Sequence, residues 1–232
     1  MTNILVTGSS RGIGAAIVKA FDSDGVVARG QATTGDLAAD FADPSGPRDL
    51  WDRALSAFDG RIDVLVNNAG VFEANPIDQD DDSWVANWER TMRINLTASA
   101  ELCRLAVLHW QATGTPGRIV NVASRAAYRG DSPAHWHYAA SKAGMVAMTK
   151  SIARAYAAQH ILAFAICPGF TMTGMAEDYL SSRGGDKLLA DIPLGRVAMP
   201  DEVAEMARWL ALDAPASMTG AVLDVNGASY VR

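Results

Sequence analysis

Two rhythms of apolar residues alternate along this chain. Short unbroken apolar runs read as buried strands, and between them lie stretches whose apolar residues recur three and four apart, the helical period. Ile4-Leu-Val-Thr7 is the first strand-like run, Gly8 to Gly14 form a glycine-rich turn, and Ala15 to Phe21 follow at helical spacing. Val26 to Arg29 predict a second strand and Leu37 to Asp40 a third, with only Gly30 to Gly35 and Asp36 between them. A parallel crossover takes a dozen residues or more, so the helix expected there is lost or reduced to a turn. Gly46 to Phe58 predict a helix with Leu50, Ala54 and Phe58 four apart, and Arg61 to Val66 a strand ending in Asn67-Asn-Ala-Gly70.

The second half repeats the alternation. Ser83 to Ala112 read as helix, with Trp84, Trp88, Met92 and Leu96 four apart, entered through the acidic run Asp80-Asp-Asp82. Carboxylates suit a helix N-terminus, so that run is expected to be a solvated cap and not a metal site. Gly117 to Ala123 predict a strand, Ala139 to Ala157 a long helix and Ile161 to Ile166 a strand broken by Pro168-Gly169. Residues 170–195 have little periodicity and carry Gly174, Gly184, Gly185 and Pro193, which suggests a mobile lid. Asp201 to Ala211 is a helix entered through Pro200, and Ala221 to Val225 a last strand. Strands alternating with helices imply α/β architecture: a single doubly wound parallel sheet with helices on both faces and sites at the strands' C-terminal edge. Neither repeat nor linker interrupts the pattern, so residues 1–232 are expected to form one domain.

Composition narrows the partners. With 49% apolar and 20% charged residues among 232, the chain can fill a sizeable core. A net charge of −6 argues against nucleic acid and against an anionic membrane surface. No apolar run approaches the ~18 residues of a membrane span, and the N-terminus enters a strand without a basic region, so a cytoplasmic protein is expected. Cys103 and Cys167 are far apart and lack CxxC spacing, which predicts buried reduced thiols.

The candidate chemistry gathers around Tyr138-Ala-Ala-Ser-Lys142. On a helix this spacing puts phenol and ammonium on one face, a turn apart. Alone, such a pair is an ordinary core aromatic beside a solvated charge. Upstream, however, Ser124 closes an apolar strand-like run, and the glycine-rich turn after the first strand suits a phosphate approaching a helix N-terminus. Its spacing, with Gly8, Gly12 and Gly14, departs from the GxGxxG form. His135 and His137 lack an evident third ligand, so no metal is expected.

Taken together, Thr7-Gly-Ser-Ser-Arg-Gly-Ile-Gly14, Asn67-Asn-Ala-Gly70, Asn95, Ser124, Tyr138-x-x-x-Lys142 and Pro168-Gly169 resemble the classical short-chain dehydrogenase/reductase family over nearly the whole length. The nearest general resemblance is to 3-oxoacyl-carrier-protein reductases. The resemblance implies a Rossmann sheet of about seven strands, assembled as dimers or tetramers, and oxidoreductase chemistry with NAD(H) or NADP(H) on carbonyls or secondary alcohols. It implies Tyr138 as general acid/base, Ser124 as the hydrogen-bonding partner of the substrate oxygen, Lys142 as the holder of the nicotinamide ribose, and Asn95, at a local break in its helix, as the holder of a relay water. It further implies Gly8, Ser10, Arg11, Gly12, Ile13 and Gly14 around the pyrophosphate, Asp40 and Phe41 at the adenine, Asn68, Ala69 and Gly70 along the adenosine ribose, and Pro168, Gly169, Phe170 and Thr171 at the nicotinamide.

An acid at the end of the second strand selects NAD, whereas a cation accepts a 2′-phosphate. Here the strand ends in Arg29 with no acid before Asp36, and Arg11 lies in the phosphate turn, so NADP(H) is favoured. The loop Arg125 to His137 is expected to wall a mixed aromatic and apolar substrate pocket. An oxidative alcohol or sugar dehydrogenase would use identical residues. A non-catalytic dinucleotide-binding regulator would keep the glycines but shed the acid/base set, which is intact here. Apolar residues on several faces of the helices Ser83–Ala112 (Trp84, Trp88, Met92; Leu102, Ala106, Trp110) and Tyr138–Tyr156 (Met145, Met148, Ile152, Tyr156) predict a homodimer or homotetramer.

Overall fold

In a computed structural model of the protein, described at residues 1–23, 25–173 and 185–232 (backbone only at 186–188), six parallel strands form one sheet. They are β1 (Thr2–Val6), β2 (Val26–Gly30), β3 (Val64–Asn67), β4 (Gly117–Val122), β5 (Ile161–Pro168) and β6 (Val222–Val225), in the spatial order β2-β1-β3-β4-β5-β6. The reversal of direction on either side of β1 makes a topological switch point, where ligands of open α/β sheets bind beyond the strands' C-terminal ends.

Each face of the sheet is covered because its strands are apolar on both sides. β3 and β5 are buried along their entire lengths, as parallel strands between two helical layers should be. On one face α1 (Gly12–Ala20) and α8 (Pro200–Leu212) bury Ile17, Phe21, Val203, Ala207 and Leu210 against Ile4, Val64 and Phe164. On the other, α2 (Gly46–Ala57), α4 (Ala98–Thr113) and α6 (Trp136–Tyr156) bury Leu50, Trp51, Leu102, Trp110 and Ile152 against Leu5, Leu65 and Ile119. Shorter helices are α3 (Asp81–Met92), α5 (Ala126–Arg129) and α7 (Gly185–Ala190). Asp80 caps α3 by accepting from the Ser83 amide at 2.9 Å, the expected use of the acidic run.

Several boundaries differ from the sequence reading. The expected third strand, Leu37 to Asp40, is reduced to one parallel bridge between Ala38 and Ala32, so among the described residues the sheet has six strands where about seven were expected. The connection is too short to carry a crossover helix, and a side chain does part of the missing strand's work. Gln31, 3% exposed, donates from Nε2 to the Ala39 carbonyl at 2.8 Å and accepts from the Gly8 amide at 2.9 Å. The helix expected from Ser83 to Ala112 begins at Asp81 and is interrupted by a π-helical segment, Arg93–Thr97. α6 starts at Trp136, a turn earlier than Ala139, and β3 starts at Val64 because Arg61 and Asp63 form a surface ion pair. Leu102, Ala106, Trp110 and Met145, read as surplus apolar faces, are at most 1% exposed and belong to the chain's own core. Part of the expected lid, 174–184, lies outside the described residues. Its flanks are packed: Ile192 and Val197 are buried with Phe170 and Met172 against them.

Candidate active site

The C-terminal ends of β1, β3, β4 and β5 bring the predicted residues to one edge. At β1, the Thr7 hydroxyl accepts from the Asn68 and Ala69 amides, each at 3.0 Å, and the Asn68 side chain donates to the Thr7 and Gly8 carbonyls at 3.1 and 3.0 Å. This lacing leaves no room for side chains at the turn. Gly8 has φ +66°, and a Cβ there would lie 2.6 Å from the Ala69 Cα. A Cβ on Gly14 would collide with the Gly8 carbonyl oxygen. α1 begins at Gly12 without a side-chain cap, so its first-turn N–H groups are left for an outside acceptor. The Cβ-free cradle, the uncapped helix end and the neutral Gln31 at the end of β2 fit the diphosphate of a dinucleotide.

Beside this turn a cleft of about 430 Å³ is lined by Ser9, Ser10, Arg29, Thr34 and Asp36, among others. Arg29 is exposed and its guanidinium lies 5.5 Å from the centre of the Phe58 ring. Arg11 is exposed at the N-cap of α1. Asp40 is exposed and its carboxylate accepts from the Ala42 amide at 2.8 Å, while Phe41 is buried in the core beneath. Across the cleft, a Cβ on Gly12 would come within 3.0 Å of the Thr173 methyl, so the chain after β5 reaches the phosphate turn.

The acid/base set meets where β4 gives way to α5 and α6 begins. The Ser124 hydroxyl accepts from the Ala126 amide at 3.1 Å and acts on the Tyr138 phenol in the direction of greater acidity. Lys142, 4% exposed, donates to the Val122 carbonyl at 2.9 Å, and its Nζ is 5.8 Å from the centre of the Tyr138 ring. Asn95 is fully buried in the π-helical segment. Its amide clamps Val71, accepting from the backbone N–H at 2.8 Å and donating to the carbonyl at 2.9 Å, and also donates to Ser141 Oγ at 3.3 Å. A Cβ on Gly70 would stand 3.2 Å from Asn95 Oδ1 and 3.6 Å from Lys142 Nζ, so glycine there keeps these two groups in reach of one another.

Desolvation shifts the two titrating groups in opposite directions. It pushes the Tyr138 phenol up to about 12, with Ser124 pulling the other way. It lowers the Lys142 ammonium to about 8. The free site therefore holds its phenol protonated, with a cation one turn away.

Further residues complete the walls. The Phe72 ring stacks on His135 at 3.9 Å and meets Tyr138 edge-on at 4.8 Å. His137 is 1% exposed, its charged form disfavoured by burial and by His135. At the other side, the Gly169 amide donates to the Val225 carbonyl at 2.9 Å, the Pro168 carbonyl accepts from the Arg125 amide at 2.9 Å, and Thr171 is buried in a bridge to Ala198. Sequence reasoning missed Gln31, Phe72 and Thr173. Only Thr173, close behind Pro168-Gly169, carried a positional hint. Asn67 and Asn121 hydrogen-bond each other at 2.9 Å, and Asn121 reaches Thr149 at 2.8 Å. Both cysteines are free and buried. Among the described residues no cluster of His, Cys, Asp or Glu could hold a metal ion, and no helix is long and apolar enough to cross a membrane.

Known proteins resemble this chain in sequence and fold. A family model described as enoyl-(acyl carrier protein) reductase matches residues 8–228. The chain is 36% identical to the 3beta-hydroxysteroid dehydrogenase 1 of Eggerthella lenta, over 97% of this chain and 92% of that protein. It is 34% identical to the 3-oxoacyl-(acyl-carrier-protein) reductase FabG of Haemophilus influenzae, over 98% and 97%. A crystal structure described as a 2-deoxy-D-gluconate 3-dehydrogenase from Agrobacterium tumefaciens with bound NADP superposes with a TM-score of 0.89 at 28% identity, over 100% of this chain and 97% of that one. The chain belongs to the short-chain dehydrogenase/reductase family, oxidoreductases that pass hydride between a nicotinamide dinucleotide and a carbonyl or secondary alcohol.

Proposed function

We propose that this protein is an NADP(H)-preferring carbonyl reductase in which Tyr138 is the proton donor. The observation that carries this reading is the meeting of Ser124, Tyr138, Lys142 and Asn95 at one strand edge, beside a turn with no space for side chains. When bound, the nicotinamide supplies the hydride. The chain's own residues do the rest. Ser124 hydrogen-bonds the substrate oxygen and keeps it against the phenol. Tyr138, which holds its proton through the neutral range, delivers that proton as the oxygen gains charge. Lys142 holds the nicotinamide ribose and favours the phenolate left behind. Asn95 holds a water at the head of a relay that, by way of Lys142, returns a proton to the phenolate.

Gly8, Ser10, Gly12, Ile13 and Gly14 would hold the diphosphate, with Asn68, Ala69, Gly70, Asp40 and Phe41 along the adenosine and Pro168, Gly169, Phe170 and Thr171 at the nicotinamide. The preference for NADP(H) is supported by Arg29 in the cleft, Arg11 beside it and a neutral Gln31 where a strand-end carboxylate would select NAD. The oxidative direction, as an alcohol or sugar dehydrogenase, uses the same residues and is distinguished by running the reaction both ways.

A turnover screen of ketones, aldehydes and secondary alcohols with NADPH and NADH tests the proposal. Reduction with NADPH is expected to exceed that with NADH in kcat/KM. Tyr138→Phe is expected to lower turnover ~10²–10⁴-fold with cofactor binding retained. A variant above about a tenth of wild-type rate would remove Tyr138 as the acid, and equal use of NADH would remove both arginines from the cofactor's 2′ position.

A further inference from the structure

One buried cation beside the active centre has an ion-pair neighbour but no hydrogen bond for its Nη1. Arg125 directly follows Ser124 and is only 8% exposed. Its amide is tied to the Pro168 carbonyl, which pins it between the ends of β4 and β5. Its guanidinium carbon lies 5.0 Å from the centre of the Phe170 ring. Buried guanidinium groups ordinarily spend their N–H donors on carboxylates or carbonyls, because an unpaired buried charge is costly. Here Nη1 is buried without a hydrogen-bond partner. The nearest carboxylate, Asp191, is 3.7 Å away, beyond hydrogen-bonding distance, and the same Oδ2 is already held by Arg129 at 2.7 Å. The other charges that act on Arg125 are Arg129, which repels it, and Asp131, which attracts it without a hydrogen bond.

The geometry points to Arg125 as a specificity-determining residue that receives a carboxylate on the substrate, so that the protein acts on oxo or hydroxy acids. This rests on the carbonyl-reductase reading above, since it needs Ser124 to hold the reacting oxygen. A substrate carboxylate would give Nη1 the charge-assisted partner it lacks. It would also anchor one end of the molecule a single residue from the hydroxyl that holds the other. Asp191 does not fill that role, because Arg129 occupies it. Arg129 and Asp191 together leave Arg125 as the cation still able to bond.

Matched pairs of one acid and its methyl ester, levulinate with methyl levulinate and 4-oxocyclohexanecarboxylate with its ester, test the assignment with NADPH in excess. The wild type is expected to favour the acid at least about tenfold in kcat/KM, the scale of a charge-assisted contact made or lost. Arg125→Met is expected to bring the acid-to-ester ratio close to one, with the change carried by the KM of the acid. Arg125→Lys, which keeps the charge but not the planar fork, should recover part of the ratio. Titration of benzoate against benzamide into the NADP⁺-loaded protein reads the same contact without turnover and should show benzoate bound more tightly by the wild type alone. Equal kcat/KM for acid and ester, a ratio that survives Arg125→Met, or benzoate bound as weakly as benzamide by the wild type overturns the assignment. The catalytic reading fails separately, if Tyr138→Phe leaves turnover of both acid and ester intact.

Discussion

Tyr138 and Lys142 are four residues apart, and burial drives their acidities apart. The phenol rises to about 12 and the ammonium falls to about 8. From sequence alone the phenol starts near ~10, so ionising it at neutral pH takes ~4 kcal/mol. Starting from about 12 the figure is nearer ~7 kcal/mol. The free site is therefore set to donate a proton, and the cation is the group that titrates in an accessible range. For carbonyl reduction, kcat/KM is expected to stay level up to about pH 8 and fall above it, as the free enzyme's Lys142 loses its charge. A pH profile that is flat through pH 9, or a fall that persists unchanged in Lys142→Arg, would detach Lys142 from the chemistry. Stability has its own sign. Between pH 8 and 10.5 the unfolded chain holds the Lys142 proton and the folded one does not, so this group makes folding more favourable as pH rises. Between pH 10 and 12 the folded chain retains the Tyr138 proton that the unfolded chain releases, so that group acts oppositely.

At the scale of elements, two local irregularities shape the site. The π-helical segment Arg93–Thr97 admits an extra residue per turn, and its buried Asn95 clamps Val71 from both sides. A break at Asn95 was implied by family resemblance, whereas periodicity alone continues the helix through it. The second irregularity is the shortened connection after β2. Its brevity was legible, because seven residues cannot hold a crossover helix. That Gln31 would span the gap was not, since its partners, Gly8 and Ala39, come from opposite sides in sequence. Arg125 was unreadable for the same reason: its unfilled hydrogen bond depends on Asp191 bonding to Arg129 instead. Motif residues could be placed because their spacing carries their roles; residues whose roles come from distant neighbours could not. Gln31→Leu keeps the volume and removes both hydrogen bonds, which should cost about 1–3 kcal/mol. The expected result is a Tm lower by several degrees and weaker dinucleotide binding, measured by fluorescence titration. An unchanged Tm together with unchanged binding would reduce Gln31 to a filler.

For the whole molecule, assembly is the open dimension. Part of the apolar surface that suggested partners is internal, as Leu102, Trp110 and Met145 show. What remains outside is Leu108 on α4, 46% exposed, and the group Ile77, Val85 and Trp136, at 67%, 48% and 53%, around a shallow surface cleft. We expect these to be covered by a second copy, giving a dimer or a two-fold symmetric tetramer. Light scattering at micromolar concentration should return two or four times the chain mass of 24.6 kDa. A mass of one chain would leave those residues as ordinary exposed apolar surface.

The truncated sheet matters to the molecule in another way. β2 pairs with β1 and, among the described residues, with no strand beyond it. Its outer rim therefore presents backbone donors and acceptors of the kind that recruit a stray strand from another chain. On that rim, β2 carries an exposed arginine at the fourth of its five residues. Charge on a short outermost strand discourages such templating. Arg29, enlisted above for a phosphate, would on this ground also help keep a correctly folded chain from pairing edge-to-edge with its neighbours.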